Sequence, residues 1–192
     1  MAMAPLCLAL GACTSLLVPT PPALDTYALT APVITKVRRN ARVQLLVAEP
    51  TAIKAFDVQN IVVQTTANDV QFLSGAQWAD RLPKVVQSGL VETFERSDAF
   101  GGIGRPGEGL AIDYQVLSDV RSFGIRSGTS SEAVVEIAVK LLNDRNGVIR
   151  DNRLFTATSA VSGTANEDYV AALDAAFDEV AADIVRWVAG RI

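Results

Sequence analysis

The segment AVVEIAVKLLN (133–143), DRNG (144–147), VIRDNRLFTATSA (148–160) decides the fold. Glu136 and Lys140 are four apart, a spacing that would put them on one face of a helix. Val134, Val135, Ile137 and Val139 are β-branched, however, and fit a pleated strand better. Asn146-Gly147 supplies the positive φ that a tight hairpin turn needs. The stretch therefore reads as two long strands folded back on each other.

Working outward, other runs alternate in the same way. Leu110, Ile112, Tyr114, Val116 and Val120 predict a strand within 109–123. Val43, Leu45 and Val47 predict one over 42–48 that Pro50 ends. Segments 60–65 and 70–74 predict a second hairpin turning through Thr66–Asp69, and a short strand is expected at 27–29. Two segments carry the helical period instead. Leu82, Val85, Val86, Leu90 and Phe94 mark one face of a helix over 77–96, with Ser74 as the candidate cap and Pro83 near its start. Val170, Leu173, Phe177, Val180, Ile184 and Val188 mark a helix over 167–189 that Gly190 ends. The expectation is an α/β (α+β) fold, a mixed or antiparallel sheet of about five to seven strands. Two long helices pack on one face of it, making a two-layer sandwich.

Composition narrows the function. The chain has 192 residues, 49% of them apolar, which suffices for one sizeable core. Net charge is −4, with 17 basic residues scattered among 21 acidic ones, so no nucleic-acid partner is expected. The absence of histidine removes imidazole-based triads and imidazole metal ligation. No enzyme, metal or cofactor is expected.

Residues 1–12 (MAMAPLCLALGA) read as a lipoprotein signal peptide. The apolar run Leu6–Leu10 is too short to span a bilayer, which takes about 20 residues. Leu10-Gly11-Ala12-Cys13 resembles a lipobox, making Cys13 the lipidation site. The leader departs from the usual pattern in being short and in carrying no Lys or Arg. Residues 13–25 then form a lipidated cysteine and Pro-rich tether, with Pro19, Pro21 and Pro22 favouring an extended chain that reaches about 35 Å. Thr14, rather than Asp, follows the cysteine, a position that implies sorting to the outer membrane. Residues 26–192 are expected to form a single domain.

Candidate sites in that domain are sparse. Gly102-Ile103-Gly104-Arg105-Pro106-Gly107 spells a dinucleotide fingerprint, but it follows a helix and precedes a strand, the wrong context, and reads as a connecting loop. Asp113, Asp119 and Glu136 do not pair at a catalytic spacing. Arg121 and Arg126 flank a Gly/Ser-rich loop, 124–131, that reads as solvated. Trp78 reads either as core or as an exposed contact. Trp78, Arg81 and Arg105 are the candidate partner contacts.

Taken in order, Tyr27-Ala28-Leu29, Asn60-Ile61-Val62-Val63, Asn68, Ala76-Gln77-Trp78-Ala79-Asp80-Arg81-Leu82-Pro83, Gly104-Arg105-Pro106, Ala133-Val134-Val135-Glu136-Ile137 and Ile184-Val185-Arg186-Trp187 resemble the auxiliary lipoproteins of ABC-type transport systems. The resemblance covers roughly residues 25–190, and the QWADRLP segment is its most specific piece. It implies an outer-membrane lipoprotein facing the periplasm that accompanies an MCE-domain substrate-binding protein and an ABC permease and ATPase. Such systems move phospholipids or sterols between membranes. The membrane is reached through the N-terminal lipid, and the tether allows a homo-oligomer. A lipid-binding periplasmic carrier, with an acyl chain held near Leu90, Phe94 or Phe177, is the alternative. A hydrolase without histidine is a third reading, for which no cluster of Asp, Lys or Tyr is evident.

Overall fold

The computed structural model describes residues 23–35, 37–66 and 68–192. The expected signal peptide, Cys13 and nearly all of the expected tether lie outside these residues.

β7 (Tyr114–Arg126) organises the sheet. Along one edge it pairs antiparallel with β8 (Glu132–Asn143), which pairs in turn with β9 (Val148–Ala160). Three strands share its other edge end to end, all parallel to it. They are β2 (Asn40–Val47) against 114–116, β3 (Thr51–Ala52) against 119–120 and β4 (Asn60–Thr66) against 124–126. Residues 40–66 thus act as one long strand interrupted twice. Pro50, which has no N–H to donate, stands at the first break. The second break is a turn over 53–59. β2 carries β6 (Phe100–Gly104) in parallel at its far side. β4 carries β5 (Asp69–Trp78) antiparallel, and β5 carries β1 (Asp25–Tyr27) in parallel.

α1 (Leu82–Arg96) lies on β2 and β6, and α2 (Asn166–Arg191) on β5, β7, β8 and β9. The helices meet where Gly89 faces the Phe177 ring. Alternation sends Ala133, Val135, Ile137, Val139 and Leu141 of β8 into the interior, all 0–1% exposed. Residues 28–35 form a strap along the helices. Thr30 donates through both its N–H and its hydroxyl to Asp174, at 2.7 Å each. Leu29 borders Gly89, and Ala31 and Ile34 are buried.

The two helices, their shared face and the two hairpins agree with the sequence reading. The sheet has nine strands, more than expected, because β3 and β6 join it. Gly102 and Gly104 belong to strand β6, not to a loop; only 105–107 turn. α1 starts at Leu82, not Gln77, and Ser74 does not cap it. Gln77 and Trp78 instead end β5, where they pair with Thr26 and Tyr27. Gly75, at φ 77°, sits in the irregular stretch that lets β5 turn Ala76 and Trp78 into the core. β7 begins at Tyr114 rather than Gly109 and runs to Arg126, so the following loop is shorter than expected. Gly190 lies within α2 rather than ending it.

Candidate functional surfaces

QWADRLP is a structural junction. Trp78 is 1% exposed and meets Phe123 edge-on at 5.8 Å. Its N–H donates to the Gln59 carbonyl, and Ala79 N–H donates to Tyr27. Leu82 N–H donates to Val58. The segment thereby ties β1, the 53–59 turn and α1 together. Trp78 has no surface to offer a partner, because its apolar bulk fills the sheet–helix interface. That corrects its reading as a contact residue.

Arg81 is half-exposed at the start of α1 and joins two carboxylates, Asp57 and, at 2.6 Å, Glu49. Its guanidinium fork holds the 53–59 turn and the end of β2 against the helix. The hydrogen bond from Arg81 is the first cause that holds the Asp57 carboxyl below its usual range, and the same pair raises the Arg81 guanidinium. Arg105 stands apart on an exposed turn after β6, where its N–H donates to Glu108 at 2.9 Å. Trp78, Arg81 and Arg105 therefore form no single surface.

The candidate carboxylates are also separate. Asp113 accepts from the Gln44 N–H at 3.0 Å and pairs with Arg145. These two contacts, the backbone one first, lower its pKa. Asp119 pairs with Arg121, and Arg126 with Glu132. Glu136 faces Thr156 across the hairpin. Among the described residues no group of acidic or cysteine side chains is arranged to hold a metal. No described helix is long and apolar enough to cross a membrane.

The interior is filled where a carrier would need space. Leu90 and Phe177 are fully buried and Phe94 is 1% exposed. A shallow apolar hollow of about 440 Å³ opens instead at the surface between the strap and α1, lined in part by Leu29, Val85 and Gln87. The Gln87 amide donates to the Val47 carbonyl at 2.9 Å and closes its floor.

Sequence reasoning missed a basic corner at the C-terminal end of α2. Arg153, Asp183, Arg186, Trp187, Gly190 and Arg191 line a cleft there of about 360 Å³. These residues come from two consecutive elements, β9 and α2, but Arg153 lies 30 or more positions before the others, so no motif announces them.

Comparison with known proteins matches residues 27–185 to the family described as the ABC-type transport auxiliary lipoprotein component. An uncharacterized protein of Bradyrhizobium diazoefficiens is 32% identical over 144 residues, 74% of this chain. The chain spans 38% of that relative's length. The crystal structure of a Xanthomonas campestris protein of family DUF330 superimposes with a TM-score of 0.80 at 28% identity, covering 86% of this chain and 96% of that one. A hypothetical protein from Chlamydia trachomatis shares the fold alone, with a TM-score of 0.56 at 8% identity over 79% of this chain and 98% of that one.

Proposed function

The chain belongs to the ABC-type transport auxiliary lipoprotein family, and from that membership we propose that it docks or scaffolds a transporter carrying lipid between two membranes. The observation that carries this reading is the family match, which spans nearly all of the described chain. In this reading Cys13 is acylated, the Pro-rich tether sets the reach of the domain, and the domain faces the periplasm from the outer membrane. Thr14 after the cysteine supports the outer-membrane assignment. One acyl chain anchors only marginally, whereas two or three hold firmly. The partners are an MCE-domain substrate-binding protein with its permease and ATPase, and the cargo is a phospholipid or sterol.

The role is mechanical rather than catalytic. Support comes from a sequence without histidine and from carboxylates that are each engaged separately. The filled interior around Leu90, Phe94 and Phe177 favours docking over the carrier alternative, since a held acyl chain needs a cavity there.

The test is affinity purification of the full-length protein from membranes beside a Cys13→Ala variant, with mass spectrometry of the partners and of residue 13. Acylated Cys13 together with MCE and ABC subunits is the expected result. Unmodified Cys13 with no transporter subunits would falsify both the anchor and the docking role. Acylated Cys13 with bound lipid and no subunits would favour the carrier.

A further inference from the structure

We infer that the arginine corner at the end of α2 is a docking surface for the phosphates of anionic phospholipid headgroups at a bilayer surface. For its biological setting the inference rests on the lipid-transport reading above. Its physical basis is separate.

Four arginines converge there. Arg191 pairs with Asp151, and Arg186 with Asp183 at 2.7 Å. Arg150 donates to the Arg191 carbonyl. Arg153 lies over the Phe155 ring, 5.1 Å from its centre, and among the described residues it forms no ion pair. Phe155 is itself packed edge-on against Trp187 at 5.6 Å, so an aromatic pair holds Arg153 at the cleft. Four guanidinium groups against the two paired side-chain carboxylates give the corner an excess of basic side chains on a chain whose net charge is −4. Arg42 and Arg145 line a neighbouring hollow, where Asp113 faces them.

A simpler account is that cations complement the negative end of a helix dipole. That accounts for Arg191 and at most Arg186. It does not account for Arg150 and Arg153, which β9 supplies from the sheet. Planar guanidinium forks suit phosphate oxygens, and a cleft of about 360 Å³ admits a headgroup phosphate. Next along β9, Val148 and Ile149 are 57% and 40% exposed at the hairpin end. Exposed apolar side chains beside arginines match the boundary between headgroups and acyl chains better than they match a wholly polar acidic surface.

The corner also stands far from the tether. Asp25 pairs with Ala76, close to where Asn166 at the start of α2 bonds Ser74. Arg186 and Arg191 lie toward the other end of the 26-residue helix, about 30 to 38 Å from Asn166 along its axis. One end of the domain holds the anchor while the other is free to meet phosphates.

The experiment uses the full chain with Cys13→Ala, so that acylation does not itself drive binding. Its partition is measured onto vesicles of phosphatidylcholine alone and of phosphatidylcholine with one-third phosphatidylglycerol, at low and physiological salt. Preference for the anionic vesicles, weakened by salt, is expected. Replacing Arg153, Arg186 and Arg191 by Gln is expected to weaken that preference on the order of a hundredfold. A control that replaces Arg105, Arg121 and Arg126 removes the same charge elsewhere and is expected to leave most of it. Arg153→Gln alone, which breaks no ion pair, is expected to act in the same direction and covers misfolding of the triple variant. Equal loss in the control, or no preference in the parent chain, overturns the inference. Titration with inorganic phosphate separates a free anion from a headgroup: tight phosphate binding without vesicle binding overturns it too. Transporter pull-down is scored separately. No vesicle preference in the parent chain with subunits retained sinks only this surface, and vesicle preference in the parent chain without subunits sinks only the docking role.

Discussion

Gly89 of α1 lies so close to Phe177 of α2 that a β-carbon added there would stand 2.7 Å from the ring's Cε1. Phe177 cannot easily withdraw, because it is fully buried and packed against Phe123 with ring centres 6.3 Å apart. The helices owe their close approach to the missing side chain.

Gly89→Ala sets two effects against each other. Alanine gains about 1 kcal/mol in helix propensity. Overpacking a rigid aromatic contact costs about 1–3 kcal/mol. The expected net effect is destabilisation of roughly 1 kcal/mol, read as a lower melting temperature. Adding Phe177→Leu to Gly89→Ala is expected to cost less than the sum of the two single changes, because it opens the space the methyl needs. Simple additivity would show that the helices are not clamped at this point.

Trp78 distinguishes a core role from a partner contact. Trp78→Ala is expected to cost about 3–5 kcal/mol through the cavity left against Phe123. Trp78→Phe keeps part of that packing and is expected to cost less. In a purification from membranes, Trp78→Phe is expected to recover the same partners as the parent. Loss of partners with an unchanged melting temperature would return Trp78 to the surface.

Local chemistry explains which parts of this fold the sequence revealed. β8 and β9 were legible because β-branched residues and Asn146-Gly147 agree on one hairpin. The two helices were legible because their stripes repeat over several turns. β6 was not, because FGGIG carries no apolar alternation and becomes a strand only through its pairing with β2. The start of α1 was misplaced for a related reason. Gln77 and Trp78 continue an apparent helical segment, but β1 and the Gln59 carbonyl claim their backbone groups. The expected lipidation site, Cys13, was named from a short-range motif and lies outside the described residues. The arginine corner was not, since positions 150, 153, 186 and 191 meet only after α2 lies down on β9.

The Arg81–Asp57 pair predicts an acid-dependent difference between variants. Asp57 is held below the usual carboxylate range chiefly by its hydrogen bond from Arg81. Its contribution is therefore present above the unfolded value of about 3.9 and is lost as pH falls through the lower folded value. Arg81→Gln is expected to melt below the parent at neutral pH, with the two converging in acid. Hydrogen exchange in the 53–59 turn is expected to quicken in the variant. A gap that stays constant with pH would mean that Arg81 acts by packing alone.

Asp178 carries the opposite sign. Burial first, and then the nearby Asp174 charge, raise its pKa, while Arg96 partly offsets them. One carboxylate oxygen, Oδ1, is buried without a hydrogen-bond partner. A raised folded value means that this group favours the folded state fully below about pH 3.9 and loses that contribution as pH rises through the folded pKa. At neutral pH the ionised carboxylate is thus a burden on α2. Asp178→Asn keeps the shape and removes the charge. It is expected to raise the melting temperature at neutral pH by on the order of a degree or two, since solvent screens much of the effect. The advantage should vanish in acid, where Asp178 is already neutral. A lower melting temperature at neutral pH would instead show that attraction to Arg96 outweighs burial and the Asp174 repulsion together.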